Sequence, residues 1–223
     1  MHGGAGNDLI FGGAGNDLIF GDEGDDFIEG GAGNDRVWAG AGNDTILATL
    51  NDGDDVYYGE DGIDTLDYSV STGNLTVDLG NGLMGRGSVS GGSTGNDTFY
   101  GFENFIGGSG HDMIVASNAV NIIDGGLGDD TFKFNSAAAA NGDTIYGFQT
   151  GDRIDFSGMG VGLRLTAGTT MTAVGDVTIA HEVRDGEEFT VIRGNTQGDD
   201  GADFELALHG RHNLTVNDFL GVS

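Results

Sequence analysis

A nine-residue repeat runs without a break from Gly3 to Leu47. Its five units read GGAGNDLIF, GGAGNDLIF, GDEGDDFIE, GGAGNDRVW and AGAGNDTIL, with glycine or a small residue at the first, second and fourth positions. Aspartate always occupies the sixth position and a large apolar residue the eighth. A short fixed period is typical of stacked repeat proteins, in which each unit buries its apolar residue only by packing on its neighbours.

The repeat continues less regularly towards the C-terminus. Later units occupy residues 50–58, 59–67, 92–100, 107–115, 116–124 and 125–133. A two-residue insertion, Ala48-Thr49, precedes the first of them, and Asn121 stands where one unit should carry aspartate. Residues 68–91 lose the period, although Leu75 to Leu79 alternates like a short strand. We interpret 68–91 as a longer coil or hairpin stacked on the array, and residues 101–106 as a separator between units.

The unit length limits the local structure. Nine residues are too few for a helix and its return, but they fit a six-residue turn followed by a three-residue strand. Glycine permits positive φ in the turn, and the middle strand residue points inward, which explains the apolar eighth position. Two units then form an 18-residue coil, and coils stack at about 4.8 Å. Turns therefore lie above one another in two aspartate columns. One is predicted to contain Asp8, Asp26, Asp44 and Asp64, and the other Asp17, Asp35 and Asp55.

The charge of the chain bears on what it binds. It contains 8 Lys and Arg against 36 Asp and Glu, a formal net charge of −28, which argues against nucleic acid as a partner. No apolar run is long enough for a transmembrane segment. Two carboxylates about 5 Å apart repel by roughly 0.8 kcal/mol even in bulk water, so the columns oppose stacking unless cations lie between the turns. With no cysteine and only oxygen ligands in the turns, the sequence favours Ca²⁺ over transition metals and over Mg²⁺.

The units match the pattern GGxGxDxUx and resemble the nonapeptide of RTX proteins. The resemblance implies an all-β fold: a calcium-stabilised parallel β-roll (an RTX solenoid), followed by a C-terminal β-rich capping region. It implies that facing turns share an ion through backbone carbonyls and sixth-position aspartates, with roughly five or more ions in total. The implied aspartate ligands are Asp8, Asp17, Asp26, Asp35, Asp44, Asp55, Asp64, Asp97, Asp112 and Asp130. The implied carbonyl ligands are Gly4, Gly6, Gly12, Gly13, Ala14, Gly15, Gly21, Glu23, Gly24, Gly30, Gly31, Ala32, Gly33, Ala39, Gly40, Ala41 and Gly42.

The region after Phe134 has fewer glycines and a different pattern. Four segments alternate like strands of an antiparallel sheet, residues 143–148, 152–158, 177–183 and 202–210. Stacked repeats need terminal caps, because an open end exposes both core and strand edges. The expected organisation is a first β-roll block at 1–67, an irregular insertion at 68–91, a second block at 92–134 and a cap at 135–223.

The cap resembles the segment that follows the roll in secreted serralysin-type metalloproteases. DRIDFSG, ADFELALHG and NDFL, within residues 152–220, are the matching stretches. The resemblance implies a secreted, extracellular protein whose uncleaved C-terminal signal is read by the type I secretion machinery. Met1-His2 leads directly into a repeat, so we expect the chain to be part of a longer protein.

Two short matches to catalytic motifs lack the residues or the context that catalysis needs. His181-Glu182 lacks the second histidine of H-E-x-x-H, and Ser93 of a G-x-S-x-G match lies within a repeat, so we predict no catalytic or cofactor-binding residues and a non-catalytic module. The alternative is a polysaccharide- or surface-binding RTX module, as in alginate epimerases or adhesins. The outward aromatic residues Trp38 and Tyr58 could contact sugars there. Whether Asp143, Asp152 and Asp155 bind a further ion or cap turns stays open.

Overall fold

The computed structural model describes residues 1–80, 85–168, 170–198 and 201–223. The strands of the first half are β1 (His2–Ala5), β2 (Leu9–Ala14), β3 (Leu18–Glu23), β4 (Phe27–Ala32), β5 (Arg36–Ala41), β6 (Thr45–Leu47), β7 (Val56–Asp61), β8 (Thr65–Asp67), β9 (Leu75–Asp78), β10 (Arg86–Gly91) and β11 (Asn96–Tyr100). The second half contains β12 (Asn104–Ile106), β13 (Met113–Val115), β14 (Ile122–Asp124), β15 (Thr131–Lys133), helix α1 (Ala137–Ala140), β16 (Thr144–Tyr146), β17 (Arg153–Asp155), β18 (Arg164–Leu165), β19 (Asp176–Arg184), β20 (Glu187–Gly194), β21 (Phe204–His209) and β22 (Phe219–Leu220), with 3₁₀ turns at Ser157–Met159 and Val216–Asp218.

These strands form two sheets, each of eleven strands, in a parallel β-solenoid of about eight turns with a β-rich C-terminal part. The first sheet has the order β1-β3-β5-β7-β11-β10-β9-β13-β15-β17-β22. The second has the order β18-β19-β20-β21-β16-β14-β12-β8-β6-β4-β2. Successive repeat strands alternate between the sheets, which confirms the predicted all-β solenoid and cap.

The register confirms the predicted 18-residue coil. Strands β1 and β3 pair in parallel with Gly4 opposite Asp22, and β2 and β4 with Ile10 opposite Ile28. After the insertion at Ala48-Thr49 the offset becomes 20 residues, as in the pairing of β5 with β7. The eighth-position residues Ile19, Ile28, Val37 and Ile46 are fully buried. Strands β2 to β5 and β7 are six residues long rather than the predicted three, because the first three positions of the following unit continue the extended backbone. The thin core therefore consists mainly of the eighth-position side chains, and β5 adds Ala39 as a second buried residue.

The insertion at 68–91 supplies two strands to the middle of the first sheet. As expected, Leu75–Asp78 forms a strand, β9, and it pairs in parallel with β13. Strand β10 runs antiparallel to both β9 and β11, so it interrupts the parallel order. Residues 81–84 of this insertion lie outside the described residues.

The segment 101–106, interpreted above as a separator, is part of the solenoid. Its residues Asn104–Ile106 form β12, which pairs in parallel with β8 on one side and β14 on the other. Phe105 takes the inward position and is fully buried. The separator interpretation was wrong because one inward apolar residue is enough for a solenoid strand, even without the glycines of the turn.

The C-terminal part differs in part from the expected antiparallel sheet. The segments at 177–183 and 202–210 do lie in an antiparallel unit, formed by β19, β20 and β21. The segments at 143–148 and 152–158 were predicted wrongly, because their strands β16 and β17 pair in parallel with β14 and β15. Strands β21 and β22 then add in parallel to β16 and β17; β22 ends the first sheet, and the second sheet continues from β21 through β20 and β19 to β18.

Candidate metal-binding turns

The sixth-position aspartates form the first predicted column. The backbone N–H of Asp8 donates to Oδ1 of Asp26 at 2.8 Å, that of Asp26 to Asp44 at 2.7 Å, and that of Asp44 to Asp64 at 2.9 Å. Each carboxylate therefore lies beside the backbone of the equivalent residue in the preceding turn. This contact confirms that the 18-residue coil places these aspartates directly above one another.

The second column follows the same rule. Asp17 N–H donates to Oδ1 of Asp35, Asp35 N–H to Asp55, and Asp55 N–H to Asp97, at 2.7–2.8 Å. After the inserted hairpin the pattern resumes, because Asp112 N–H donates to Oδ1 of Asp130 at 2.8 Å.

Three members of the columns were not predicted as sixth-position residues. Glu103 takes the place after Asp64, whose N–H donates to its Oε2 at 3.0 Å. Asp143 follows Asn121, and Asp152 follows Asp130, each accepting the corresponding backbone N–H at 2.8–2.9 Å. The sequence does contain a signal for these three acids. An inward apolar residue lies two positions after each of them: Phe105, Ile145 or Ile154. The signal was missed because the G-G-x-G pattern no longer precedes the acid.

The remaining oxygen of these carboxylates is the feature that points to a ligand. Among the described residues, Oδ2 is buried without a hydrogen-bond partner at the following positions: Asp8, Asp17, Asp26, Asp35, Asp44, Asp64, Asp130 and Asp143. A buried, unpaired carboxylate oxygen loses its hydration without compensation. Burial accordingly raises the pKa of Asp64 and of Asp130 to about 7. A cation would supply the missing partner.

At three other predicted aspartates, Oδ2 does accept a hydrogen bond. Oδ2 of Asp55 accepts the hydroxyl of Tyr57 at 2.7 Å, and Oδ2 of Asp97 accepts the hydroxyl of Tyr68 at 2.5 Å. Oδ2 of Asp112 accepts the N–H of Gly108 at 3.3 Å. Asp155 is not in a column: it caps a turn through Ser157 N–H at 2.8 Å and lies 3.6 Å from the Lys133 ammonium.

The first-position glycines bring backbone and carboxylate together within one turn. A Cβ atom at Gly21 would lie 2.4 Å from Oδ2 of Asp26, and one at Gly30 would lie 2.5 Å from Oδ2 of Asp35. The unpaired Oδ2 atom therefore lies close to the backbone of the first-position glycine in the same turn. The absence of a side chain at these positions keeps the space beside the carboxylate open.

The second and fourth glycines hold neighbouring turns close. At Gly31 the φ is 97°, and a Cβ there would lie 2.0 Å from the carbonyl oxygen of Gly13. At Gly33 the φ is 130°, with a Cβ 2.3 Å from the oxygen of Gly15. Positive φ alone does not demand glycine here, because Asp22 occupies a second position with a φ of 75°.

The third-position carbonyls face the adjacent turn. Glu23, Ala32 and Ala41 accept the backbone N–H of Gly6, Gly15 and Gly24 at 2.7–2.8 Å. A carbonyl oxygen has two lone pairs, so each keeps one for a further ligand. In the part of the chain that the structure describes, no group of three or more His, Cys, Asp or Glu side chains is placed to hold a metal by itself. Any ion would therefore depend on these carbonyls as well as on the aspartates, a donor set of oxygen alone that suits Ca²⁺.

The outward aromatic residues Trp38 and Tyr58 belong to a ladder. Neighbouring rings of His2, Phe20, Trp38, Tyr58 and Tyr100 stack nearly parallel, with centroids 4.6–5.0 Å apart. Ring faces thus contact each other rather than solvent, and the ladder contributes cross-strand packing along the first sheet.

Two protein-family models match the chain that contains these turns. The model for the peptidase M10 serralysin C terminal matches residues 55–221, which is most of the chain. The chain belongs to the peptidase M10 serralysin C-terminal family. A second model, the RTX calcium-binding nonapeptide repeat (4 copies), matches residues 1–28 and 20–50 of this serralysin C-terminal chain. RTX repeats bind calcium, and both regions are typical of type I-secreted extracellular proteins.

Solved structures provide a further comparison for this serralysin C-terminal chain. The solution structure of the AlgE6R2 subunit of the Azotobacter vinelandii mannuronan C5-epimerase is 23% identical, with a TM-score of 0.40, over 80% of this chain and 88% of that chain. The AlgE6R3 subunit of the same enzyme is 20% identical, with a TM-score of 0.32, over 97% and 78%. No curated protein matches the chain. Among the described residues, no helix is long and apolar enough to cross a membrane.

Proposed function

We propose that this chain is a calcium-dependent folding module that supports the export and extracellular folding of a larger type I-secreted protein. The observation that carries the proposal is the repeated buried Oδ2 atom in the two aspartate columns, unpaired among the described residues. In the calcium-poor interior of the cell, repulsion between these carboxylates opposes stacking of the turns. At millimolar calcium outside the cell, ions that bind only the folded chain stabilise it by mass action.

The chain's own residues divide the task. Sixth-position carboxylates such as Asp26 and Asp35 would provide the charged oxygen of each site, and third-position carbonyls such as those of Glu23 and Ala32 would provide neutral oxygens from the facing turn. Calcium, when bound, supplies the positive charge that the columns lack. Second- and fourth-position glycines, including Gly31 and Gly33, keep the facing turns close enough to share a ligand.

The module itself is proposed to be non-catalytic, with any enzyme activity belonging to other parts of the parent protein. We propose that residues 135–223 cap the array formed by residues 1–134. We expect the cap strands β21 and β22 to shield the end of the solenoid, because they pair in parallel with β16 and β17.

Calcium titration of the calcium-free chain, followed by far-UV circular dichroism and isothermal calorimetry, tests the proposal. We expect β-structure to increase with calcium and to be lost on adding EDTA. The variant Asp26→Asn should bind fewer ions, while Asp25→Asn, at the adjacent exposed position, is the matched control. A chain with the same β-content in EDTA and in calcium, and no heat of binding, would contradict the proposal.

Polysaccharide or cell-surface binding is the second candidate, and one surface feature bears on it. A groove of about 800 Å³ runs beside the aromatic ladder and is lined by Phe20 and Trp38 together with four carboxylates, those of Asp22, Glu23, Glu60 and Asp61. This acidic rim repels polyanions such as polyuronates. Titration with polyuronates at saturating calcium should therefore give no heat of binding. Measurable binding would instead support polysaccharide binding as the function.

A further inference from the structure

Two neighbouring turns of the second column contain tyrosine hydroxyls where other turns leave a carboxylate oxygen free. These turns, residues 50–55 and 92–97, are adjacent because Asp55 N–H donates to Oδ1 of Asp97. Tyr57 donates its hydroxyl to Oδ2 of Asp55, and Tyr68 donates to Oδ2 of Asp97. All four side chains are at most 2% exposed. We call this pair of turns the tyrosine seam.

The seam differs from the regular turns of its column in the side chains that contact Oδ2. Asp17 and Asp35 make the same backbone contact to the next turn, yet their Oδ2 atoms have no hydrogen-bond partner within the described part of the chain. Tyr57 occupies an eighth position, where units 12–20 and 30–38 carry Ile19 and Val37. An aliphatic side chain cannot donate a hydrogen bond, so the turns of Asp17 and Asp35 lack the side-chain donors that the seam supplies.

Both hydroxyls are committed to the carboxylates. Tyr57 donates to Asp55 at 2.7 Å and Tyr68 donates to Asp97 at 2.5 Å, and both rings are buried. A cation at Oδ2 would have to share that oxygen with a charge-assisted hydrogen bond or replace the bond, and replacement would leave a hydroxyl proton without an acceptor in the core. The free oxygens of Asp17 or Asp35 have no such bond to lose.

We infer that Tyr57 and Tyr68 replace an ion at the seam, so that the turns at 50–55 and 92–97 stack without calcium while the regular turns at 3–47 require it. The inference rests on the proposed function, because it divides the aspartate columns into ion-dependent and ion-independent turns. Asp55 and Asp97, which the nonapeptide pattern assigns as calcium ligands, would then be hydrogen-bond acceptors instead.

The number of calcium ions bound by the full chain tests the inference, measured by equilibrium dialysis and native mass spectrometry. Asp55→Asn and Asp97→Asn should keep the wild-type number, because an asparagine can still accept the backbone N–H at this position. Asp17→Asn, in the same column and outside the seam, is the matched control and should lower the number. Loss of an ion in Asp55→Asn or Asp97→Asn, equal to the loss in the control, would overturn the inference.

A third carboxylate at the seam requires its own variant. Asp52 is 1% exposed and accepts Thr49 N–H through Oδ2, while its Oδ1 and the hydroxyl of Thr94 have no partner among the residues described. An unchanged ion count in Asp52→Asn supports an ion-free seam, and a lower count refutes it. If the wild-type chain binds no calcium, or Asp17→Asn binds as much as the wild type, the proposed function fails instead.

A double variant separates replacement of an ion from ordinary packing. Tyr57→Phe with Tyr68→Phe leaves both Oδ2 atoms without a donor but retains the rings. We expect its melting temperature to fall at limiting calcium and to recover towards the wild-type value at saturating calcium. An equal fall at limiting and at saturating calcium would show a merely structural role and would overturn the inference.

Discussion

Replacing Gly31 with alanine tests whether the repeat needs close backbone contact between turns as well as freedom in φ. Gly31 and Gly13 both occupy second positions, with φ values of 97° and 96°. A Cβ at Gly31 would lie 2.0 Å from the Gly13 carbonyl oxygen, whereas no described atom lies within 4 Å of the equivalent position at Gly13. Both alanine variants carry the cost of positive φ, but only Gly31→Ala adds the collision.

The difference between the two variants can be estimated from the contacts. Alanine at positive φ costs roughly 1–2 kcal/mol at either site. To relieve the collision, the facing turns must separate by more than about 1 Å before carbon–oxygen contact becomes ordinary. That movement stretches the 2.7 Å hydrogen bond from Gly15 N–H to the Ala32 carbonyl. Overpacking costs about 1–3 kcal/mol and a lost hydrogen bond about 0.5–1.5 kcal/mol, so Gly31→Ala should cost about 2–4 kcal/mol more than Gly13→Ala.

Urea unfolding at saturating calcium, followed by circular dichroism, measures this difference in the free energy of unfolding. Fourth positions offer a second matched pair, because Gly33 faces the Gly15 oxygen at 2.3 Å while no described atom lies near a Cβ at Gly15. We expect the same order there. Equal losses within each pair would refute the argument that turn-to-turn contact, rather than φ alone, selects glycine.

Three further predictions concern pH, the aromatic ladder and the cap. Burial raises the pKa of Asp97 and of Asp143 to about 8, so without calcium the folded state binds protons that the unfolded state releases; the β-content of the calcium-free chain should fall as pH rises from about 4 to 8, and a flat or rising β-content in calcium-free buffer would contradict this. Trp38→Ala removes two ring stacks at 5.0 Å and should cost about 1–3 kcal/mol in urea unfolding, with Trp38→Phe, which keeps a ring, as the milder control. Arg193→Met removes ion pairs of 2.7 and 2.6 Å to Glu182 and Glu205; because these groups are partly exposed, we expect a loss of about 0.5–1 kcal/mol that shrinks at high salt, and a salt-independent loss would indicate lost packing instead.

Regular spacing made the first half of the solenoid predictable. The nine-residue period places Asp8 and Asp26 in one column and Asp17 and Asp35 in the other, and the backbone contacts between these residues follow that order. Ile19 and Ile28 are fully buried for the same reason: alternate residues of a strand point inward, and the repeat places an aliphatic residue at that position. Strictly local rules suffice there, because each unit repeats the conformation of the previous one.

Where glycines are missing, local rules no longer identify the turns. Glu103 and Asp143 join the first column although their units lack the G-G-x-G pattern. Their places are set by strands β12 and β16, which stack on neighbours already in register. Stacking energy from an existing sheet edge compensates for weak local preference, and a sequence pattern does not report it.

The sequence by itself determined that this chain consists of stacked acidic repeats of the calcium-binding type, followed by a C-terminal part with a different pattern. It did so because period, glycine position and aspartate position are properties of single units. Only the tertiary structure decided which carboxylate oxygens stay unpaired. Asp17 and Asp97 are alike in the repeat, yet the hydroxyl of Tyr68, 29 residues away in the chain, reaches only the second. That distinction arises from side chains meeting across the core, where contacts depend on how coils pack rather than on the order of residues within one coil.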